Sequence, residues 1–402
     1  MGKKRSLEQR IAGDLLTIGF NFRVNDLNEV VEVKFKEGEW EPMSEIMEAR
    51  LKLTMRNIGY GGKNKPGLTA LSEAVLVIAD RNRYNPIKDY FTSLEGKYKP
   101  MSEGKYYNHH LAHFFTNPDE QFETWLFKWK VGTIAKIFEG ERNPMLVMVG
   151  EQEKGKSFFT GWLCPLPEHY LESSINNPDD KDNKILVSET LIWEVAELES
   201  TISRSDVGAL KAFVTNRYIR VRPPYGRRPI HKSIPASFIG TVNYNGAGFL
   251  NDPSGSTRFL ACEVNHIDFA YSKMCNVHEQ WAEAWWYYKH VPDCWKLTDE
   301  ERKKRNEINE KFEVVTGLEI AVEEHFSITH DETNYLHTSE IRRILAANGY
   351  RISNENAFPS MIGAVLTKKG LKAARRRSGG KNLRGWIGIK SDKEKVTVKL
   401  DV

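Results

Sequence analysis

The residues best suited to chemistry are Gly150-Glu-Gln152-Glu-Lys154-Gly155-Lys156-Ser157, a complete G-x-x-x-x-G-K-[ST] run. Glycines at these spacings let the backbone curl so that its N–H groups face phosphate oxygens at the positive end of the helix that follows. In this reading Lys156 meets the β- and γ-phosphates of ATP and Ser157 holds Mg²⁺. Gly150, Gln152, Lys154, Gly155 and Phe158 complete the nucleotide-binding set. Hydrolysis also needs a carboxylate at the end of a neighbouring strand, to hold the metal and polarise the attacking water. The stretch Leu191-Ile-Trp-Glu194-Val-Ala-Glu197-Leu-Glu199 supplies candidates: Glu194 for the metal, and Glu194 or Glu197 for catalysis. The same acids would equally suit the first turn of a helix.

Two further groups fit a phosphate-cleaving site. Ile239-Gly-Thr-Val-Asn243 ends an apolar run on an amide that can orient water or touch the γ-phosphate, although Asn is also a common turn opener. Arg258, in Asp252-Pro-Ser-Gly-Ser-Thr-Arg258-Phe, can stabilise transition-state charge, acting in a neighbouring subunit's site. His109 and His113 have metal-ligand spacing on one helix face, but no acidic third ligand accompanies them and ordinary surface or packing histidines are the simpler reading.

These groups need a scaffold. Pro144-Met-Leu-Val-Met-Val-Gly is a continuous apolar run of the kind found in parallel strands, and Leu191–Val195 and Ala236–Val242 read as a second and a third buried strand, with helical segments between. That alternation predicts a three-layer α/β P-loop NTPase core. Four segments follow: an accessory, mainly helical N-terminal domain over 1–100 with one weak strand pair near Val30–Phe35, the ATPase domain over 101–295, a solvated charged helical connector over 296–335, and a C-terminal domain over 336–402. In the last, helices over 339–348 and 357–369, a basic loop and a hairpin formed by 385–390 and 395–400 suggest a winged helix-turn-helix.

Composition narrows the function classes. At 402 residues with 40% apolar content the chain suits two or three globular domains. No run approaches the ~18–20 apolar residues of a membrane span, and the start lacks a secretory signal, so a cytoplasmic protein with no membrane partner is expected. The four cysteines include no C-x-x-C pair, which argues against a zinc site or a disulfide framework. Net charge is +4, yet Thr338–Val402 alone carries fifteen Lys/Arg against five Asp/Glu, or +10, leaving −6 for the remainder. Local basicity of this kind points to nucleic acid and speaks against a small-molecule kinase.

Together these motifs resemble the virulence-associated protein E family, which is similar to superfamily 3 helicases and to the helicase parts of phage primases. The likeness rests on Gly150 to Ser157, Trp193-Glu194-Val-Ala-Glu197-Leu, Lys211-Ala-Phe, Arg222-Pro-Pro-Tyr225-Gly-Arg227-Arg228, Gly240-Thr-Val-Asn243 and Phe249 to Phe259, with Tyr84 to Phe91 as a lead-in. It implies an AAA+-like core, a hexameric ring with its sites at subunit interfaces, and 3′-to-5′ travel on single-stranded DNA. The setting it implies is replication of a phage or mobile element in a bacterial cytoplasm, with a primase or polymerase of the same element as a further partner. One position departs from the family: Glu153 and Lys154 stand where relatives usually have glycine, so the acid must point away from the phosphates or be countered by Lys154. No primase-type carboxylate cluster precedes the loop.

DNA contacts are expected at two places. Arg222, Tyr225, Arg227, Arg228 and Lys232 mix cations with an aromatic, as single-strand binding requires, and the resemblance puts this region at the ring pore; a structural loop with paired arginines is the alternative. Lys372, Arg375, Arg376, Arg377, Lys381 and Arg384 in the tail suit duplex or forked DNA, without sequence readout. The function this adds up to is an ATP-dependent, ring-forming replicative DNA helicase. The alternative is a DNA-binding initiator or regulator in which nucleotide acts as an assembly switch.

Overall fold

The computed structural model describes residues 6–61, 69–98, 106–175, 177–204, 207–221, 229–243, 248–250, 256–329, 331–352, 355–378 and 381–392. The chain forms two compact units, 1–246 with 256–311, and 247–255 with 312–402.

The first unit opens with α1 (Leu7–Ile18), started by a Ser6/Gln9 capping box and ended at Gly19. A hairpin of β1 (Phe20–Asn25) and β2 (Val31–Phe35) follows, then β3 (Glu41–Pro42), α2 (Glu45–Asn57), α3 (Thr69–Asp80) and β4 (Arg83–Tyr84). The sheet order is β3-β2-β1-β4. Phe20, Phe22 and Val24 alternate into a core with Ile11, Leu15, Leu51, Met55 and Leu71. Helix outweighs strand at this end of the chain, but the expected strand pair is enlarged to four strands, because β3 and β4, of two residues each, carry no periodicity to read.

The larger core contains α4 (Pro86–Thr92), α5 (Tyr107–Ala112), β5 (Phe115–Thr116), α6 (Phe122–Glu139), β6 (Met145–Gly150), α7 (Lys156–Leu163), β7 (Tyr170–Glu172), α8 (Lys181–Glu189) and β8 (Ile192–Val195). It continues through α9 (Leu198–Arg204), α10 (Val207–Thr215), β9 (Tyr218–Val221), β10 (Ile230–Ser233), β11 (Ser237–Asn243), β12 (Phe259–Glu263), β13 (His266–Ile267), α11 (Tyr271–Met274), α12 (Val277–His290) and α13 (Asp299–Lys311). Five strands form one sheet in the order β12-β6-β11-β8-β7, every adjacent pair parallel. All six residues of β6 are buried, so both faces of the sheet are covered, as a continuous apolar strand requires. Helix α6 is fastened to the sheet by two indole N–H groups, Trp125 to the Ala261 carbonyl (3.2 Å) and Trp129 to that of Phe238 (3.0 Å).

Two expectations change here. The carboxylate strand β8 is not adjacent to the loop strand β6, since β11 lies between them. The charged helix α13 is not a free connector: Ile308 and Asn309 are buried, and the Asn309 amide donates to the carbonyls of Ser256 (2.8 Å) and Phe259 (3.0 Å). Its polar sequence hides a single packed edge.

The second unit comprises α14 (Gly317–His325), β14 (Phe326–Ile328), β15 (Tyr335–His337), α15 (Thr338–Ala347), α16 (Phe358–Lys368), β16 (Lys372–Ser378), β17 (Lys381–Ile387) and β18 (Ile389–Ser391). Strand β14 pairs with β18, and β15-β17-β16 form a three-stranded sheet. Leu318, Val322, Ile341, Leu345, Ile362, Leu366 and Trp386 make the core. Two helices followed by a hairpin is the expected order, but the hairpin comes earlier than the pattern suggested. The basic run 372–377 is itself a strand, paired to 382–387, and the stretch 395–400 lies outside the described residues. Among the described residues no helix is long and apolar enough to cross a membrane.

Candidate functional site

The site gathers around the end of β6 and the start of α7, with side chains contributed by α7, β7, β8, α9 and β11. The turn after β6 leads into α7, whose N-terminal residue Gly155 has φ +85°, a conformation natural only to glycine, and no side chain caps the helix. The first amide groups of α7 are thus offered to an anion. At the strand end, a side chain on Gly150 would meet the Val264 carbonyl at 2.3 Å, so close backbone packing explains the first glycine.

Within this cradle Lys156 is buried, and its ammonium donates to the carbonyls of Gly150 (2.9 Å) and Glu151 (2.5 Å) and to Asn243 Oδ1 (3.4 Å). Asn243 is level with Gly150 in the β11–β6 register, which is why an amide so far downstream reaches the loop lysine. Burial pushes the Lys156 ammonium below its ordinary range, while Glu199, Glu151 and Glu194 pull it back.

Ser157 donates its hydroxyl to Glu194 Oε1 at 2.5 Å. Glu194 is fully buried and also accepts from Tyr170 (2.5 Å) and Thr241 (3.2 Å). Burial raises its carboxyl above the usual carboxylate range, and the hydroxyl donors, Ser157 foremost, offset part of that. A hydroxyl and a carboxylate side by side are hard oxygen donors of the kind Mg²⁺ takes.

The three acids after Trp193 separate clearly. Glu197 is exposed, at φ +50° where the chain turns off β8. Glu199 faces the loop instead: Oε1 accepts from the Asn243 backbone N–H (3.3 Å), and Oε2 is buried with no hydrogen-bond partner among the described residues. An unpaired buried carboxylate oxygen is costly unless it serves something brought to it. Glu199, Tyr170 and Thr241 stand outside the residues that the sequence motifs mark for chemistry. The one signal for Glu199 was its place in an acid-rich strand end.

The loop's remaining residues behave differently from one another. Gln152 is exposed, and Lys154 pairs with Glu151 (3.0 Å), so of the two alternatives for Glu153 the countering by Lys154 is not the one adopted. Glu153 is exposed at φ +61°, a backbone conformation that glycine adopts without strain. Phe158 is 55% exposed beside the loop.

Arg258 lies at the opposite end of the sheet. Its carbonyl accepts from the Met145 N–H (2.8 Å), and Phe259 is level with Met145 at the start of β6. Five residues of strand separate that level from Gly150, roughly 17 Å at about 3.3 Å per residue. Arg258 therefore cannot reach Lys156 of its own chain. Beside it the Lys211 ammonium is pushed down, first by burial and then by the Arg258 guanidinium, so two cations share this end of the sheet.

Of the residues expected to grip DNA, Arg222, Tyr225, Arg227 and Arg228 lie outside the described residues, in the segment joining the antiparallel strands β9 and β10. Lys232 is at the base of that hairpin, half-buried, and donates to the Leu27 carbonyl (2.5 Å), so it ties the hairpin to the N-terminal layer. In the second unit the tail cations divide. Lys368 is paired to Glu313 (2.6 Å) and Glu319 (3.0 Å), and Lys369 to Glu323 (2.5 Å). Arg376 lies over the Tyr335 ring and donates to the Glu332 carbonyl. Lys372 is exposed, and Lys381 opens β17 opposite Ser378. Arg375 is directly opposite Arg384, and Arg377 follows on the same face of the hairpin, all three exposed. Like charges directly across a ladder repel, which favours a polyanion between them.

His109 binds Glu123 (2.9 Å), His110 faces the Cys275 thiol at 3.6 Å, and among the described residues no three His, Cys, Asp or Glu side chains are grouped to hold an ion.

A family model of the virulence-associated protein E-like domain matches residues 93–314, more than half of the chain. No curated protein matches the sequence. Among solved structures, the apo NrS-1 C-terminal region (305–718) is similar at TM-score 0.49 and 14% identity, over 96% of this chain and 100% of that one. The A form of the same apo region is similar at TM-score 0.48 and 14% identity, over 94% and 98%.

Proposed function

Since this chain belongs to the virulence-associated protein E-like domain family, we propose that it is an ATP-dependent replicative DNA helicase assembling as a ring, hexameric by the family resemblance, of AAA+-like P-loop architecture. The observation that carries the reading is the convergence of Lys156, the Ser157–Glu194 pair, Asn243 and the unpaired Glu199 oxygen around an uncapped helix N-terminus.

In this mechanism the α7 amides and Lys156 hold the β- and γ-phosphates, and Asn243 keeps the lysine aimed at the loop. Ser157 and Glu194 are the residues that would hold Mg²⁺, which would supply charge neutralisation to the phosphates. Glu199, rather than the exposed Glu197, orients and polarises the attacking water and takes its proton. Arg258, out of reach of its own loop, completes the site of the adjacent subunit by stabilising charge on the transferring phosphoryl group. That requirement supports a head-to-tail, closed assembly, since each copy lacks what its neighbour supplies. Single-stranded DNA is gripped by the 222–228 segment, 3′-to-5′ travel follows the family pattern, and the second unit, read as a winged helix, holds duplex or forked DNA through its hairpin arginines. A primase or polymerase of the same phage or mobile element, acting in the bacterial cytoplasm, is the natural further partner.

The test is ATP turnover with and without single-stranded DNA, for the intact chain and Lys156→Ala, with particle mass measured in the same buffer. DNA-stimulated turnover from a ring-sized particle, lost in the variant, is expected. Turnover indifferent to DNA would overturn the motor. It would favour a DNA-binding initiator in which nucleotide only sets assembly, a reading supported by the exposed Glu153 carboxylate in the loop and by Lys154 being occupied with Glu151.

A further inference from the structure

Two aromatic side chains that flank the phosphate loop are each left about half exposed among the described residues. Phe158 follows Ser157 on the first turn of α7 and is 55% exposed, and Phe269, from the turn after β13, is 49% exposed. Their ring centroids are 5.7 Å apart at an interplanar angle of 56°. The Phe269 ring also lies against the loop itself, since a side chain on Gly155 would meet its Cζ at 2.5 Å. The missing side chain at Gly155 thus does more than permit a positive φ: it leaves room for this ring.

The Phe269 turn is held firmly. The Asp268 N–H donates to the Phe114 carbonyl (2.8 Å), the Asp268 carboxylate accepts from the Ala270 N–H (2.9 Å), and the Phe269 carbonyl accepts from the Ser272 hydroxyl (2.9 Å). Beneath, Tyr271 is fully buried, with its ring 6.4 Å from that of Phe158. Folding therefore leaves about half of an apolar ring in water at the edge of a polar loop, forgoing the hydrophobic gain that its fuller burial would bring. A flat ligand arriving with the phosphates would recover that.

We infer that Phe269, with Phe158 beside it, is the nucleobase platform of this site, the base of the bound triphosphate stacking on the outer face of the Phe269 ring. This rests on the nucleotide reading proposed above. The base does not enter between the rings, because two stacking distances of about 3.5 Å each need more than the 5.7 Å present. Neither ring carries a donor or acceptor, so the contact reads the π-face rather than the edge of the base.

Calorimetric titration of the full chain with ATP and, separately, with inorganic tripolyphosphate, both with Mg²⁺, tests the platform apart from the loop. Base stacking contributes enough that Phe269→Ala should weaken ATP roughly 5- to 150-fold. Tripolyphosphate, which has no base, should bind the variant as it binds the intact chain, and Phe269→Tyr should restore ATP. Equal weakening of both ligands by Phe269→Ala, or unchanged ATP binding, would overturn the platform while leaving the phosphate site standing. An intact chain that binds neither ligand would remove the nucleotide reading and the platform with it.

Discussion

Mixing two inactive variants isolates the question of which subunit Arg258 serves. Lys156→Ala removes the ammonium from the loop but leaves Arg258 at the far end of the sheet, and Arg258→Ala does the reverse. The two positions are separated by the length of β6, roughly 17 Å, more than twice an extended arginine side chain, so no rotamer change lets one chain combine them. Each variant alone should lose turnover, Arg258→Ala by roughly 10³–10⁵-fold if its guanidinium stabilises the transferring phosphoryl group. In a one-to-one mixed ring, an interface works when an Arg258→Ala chain supplies the loop and a Lys156→Ala chain supplies the arginine. With random assembly each condition is met half the time, so up to about one quarter of interfaces recover. The assay is steady-state ATP hydrolysis of the mixture against each variant, with co-assembly verified by native mass. Co-assembled variants that recover nothing, or an Arg258→Ala chain that hydrolyses ATP as fast as the intact one, would refute the assignment in trans.

Two other expectations are independent of ring formation. Replacing Arg375, Arg377 and Arg384 together by alanine should lower the slope of log affinity for duplex DNA against log salt by ~0.9 for each phosphate no longer neutralised, ~2.7 in all. Lys368→Ala with Lys369→Ala should leave that slope alone, because Glu313, Glu319 and Glu323 already hold those ammoniums; an unchanged slope in the arginine triple would refute the hairpin as the DNA-binding element. Lys136 in α6 is fully buried and donates to the carbonyls of Ala236 (2.5 Å) and Val214 (3.3 Å), and burial pushes it down to about 7. Above that pH the folded chain keeps it neutral while the unfolded chain stays protonated up to the ordinary lysine range. The unfolded state then binds the extra proton, so stability rises with pH between about 7 and 10.5, by up to ~1.4 kcal/mol per pH unit. Denaturant unfolding of Lys136→Met should lack that share of the rise, and an identical pH slope in variant and intact chain would show the ammonium charged when folded.

What could be read from sequence was what neighbouring residues control. The Gly150–Ser157 loop curls, and the helix after it points its amides at the curl, because of glycines and a lysine within eight consecutive positions. Burial of β6 showed in its unbroken apolar run and that of β8 and β11 in their mainly apolar stretches, and Glu194 and Asn243 showed by standing in or at the end of two of these strands. Strand order and register, by contrast, depend on hydrogen-bonding partners far away in the chain. Only pairing decided that β11 stands between the loop and Glu194, that Arg258 lies level with Met145 rather than Gly150, and that the arginines 375 and 384 share one rung. A backbone turn at φ +50° sent Glu197 to solvent and left Glu199 facing Asn243, a choice between neighbours that residue type cannot express. Phe269 resembled any apolar residue before a short helix until folding laid its ring on Gly155, more than a hundred positions away. Local sequence determines which chemistry the backbone can present; packing of distant segments, driven by burying both faces of one sheet, determines which side chains arrive to use it.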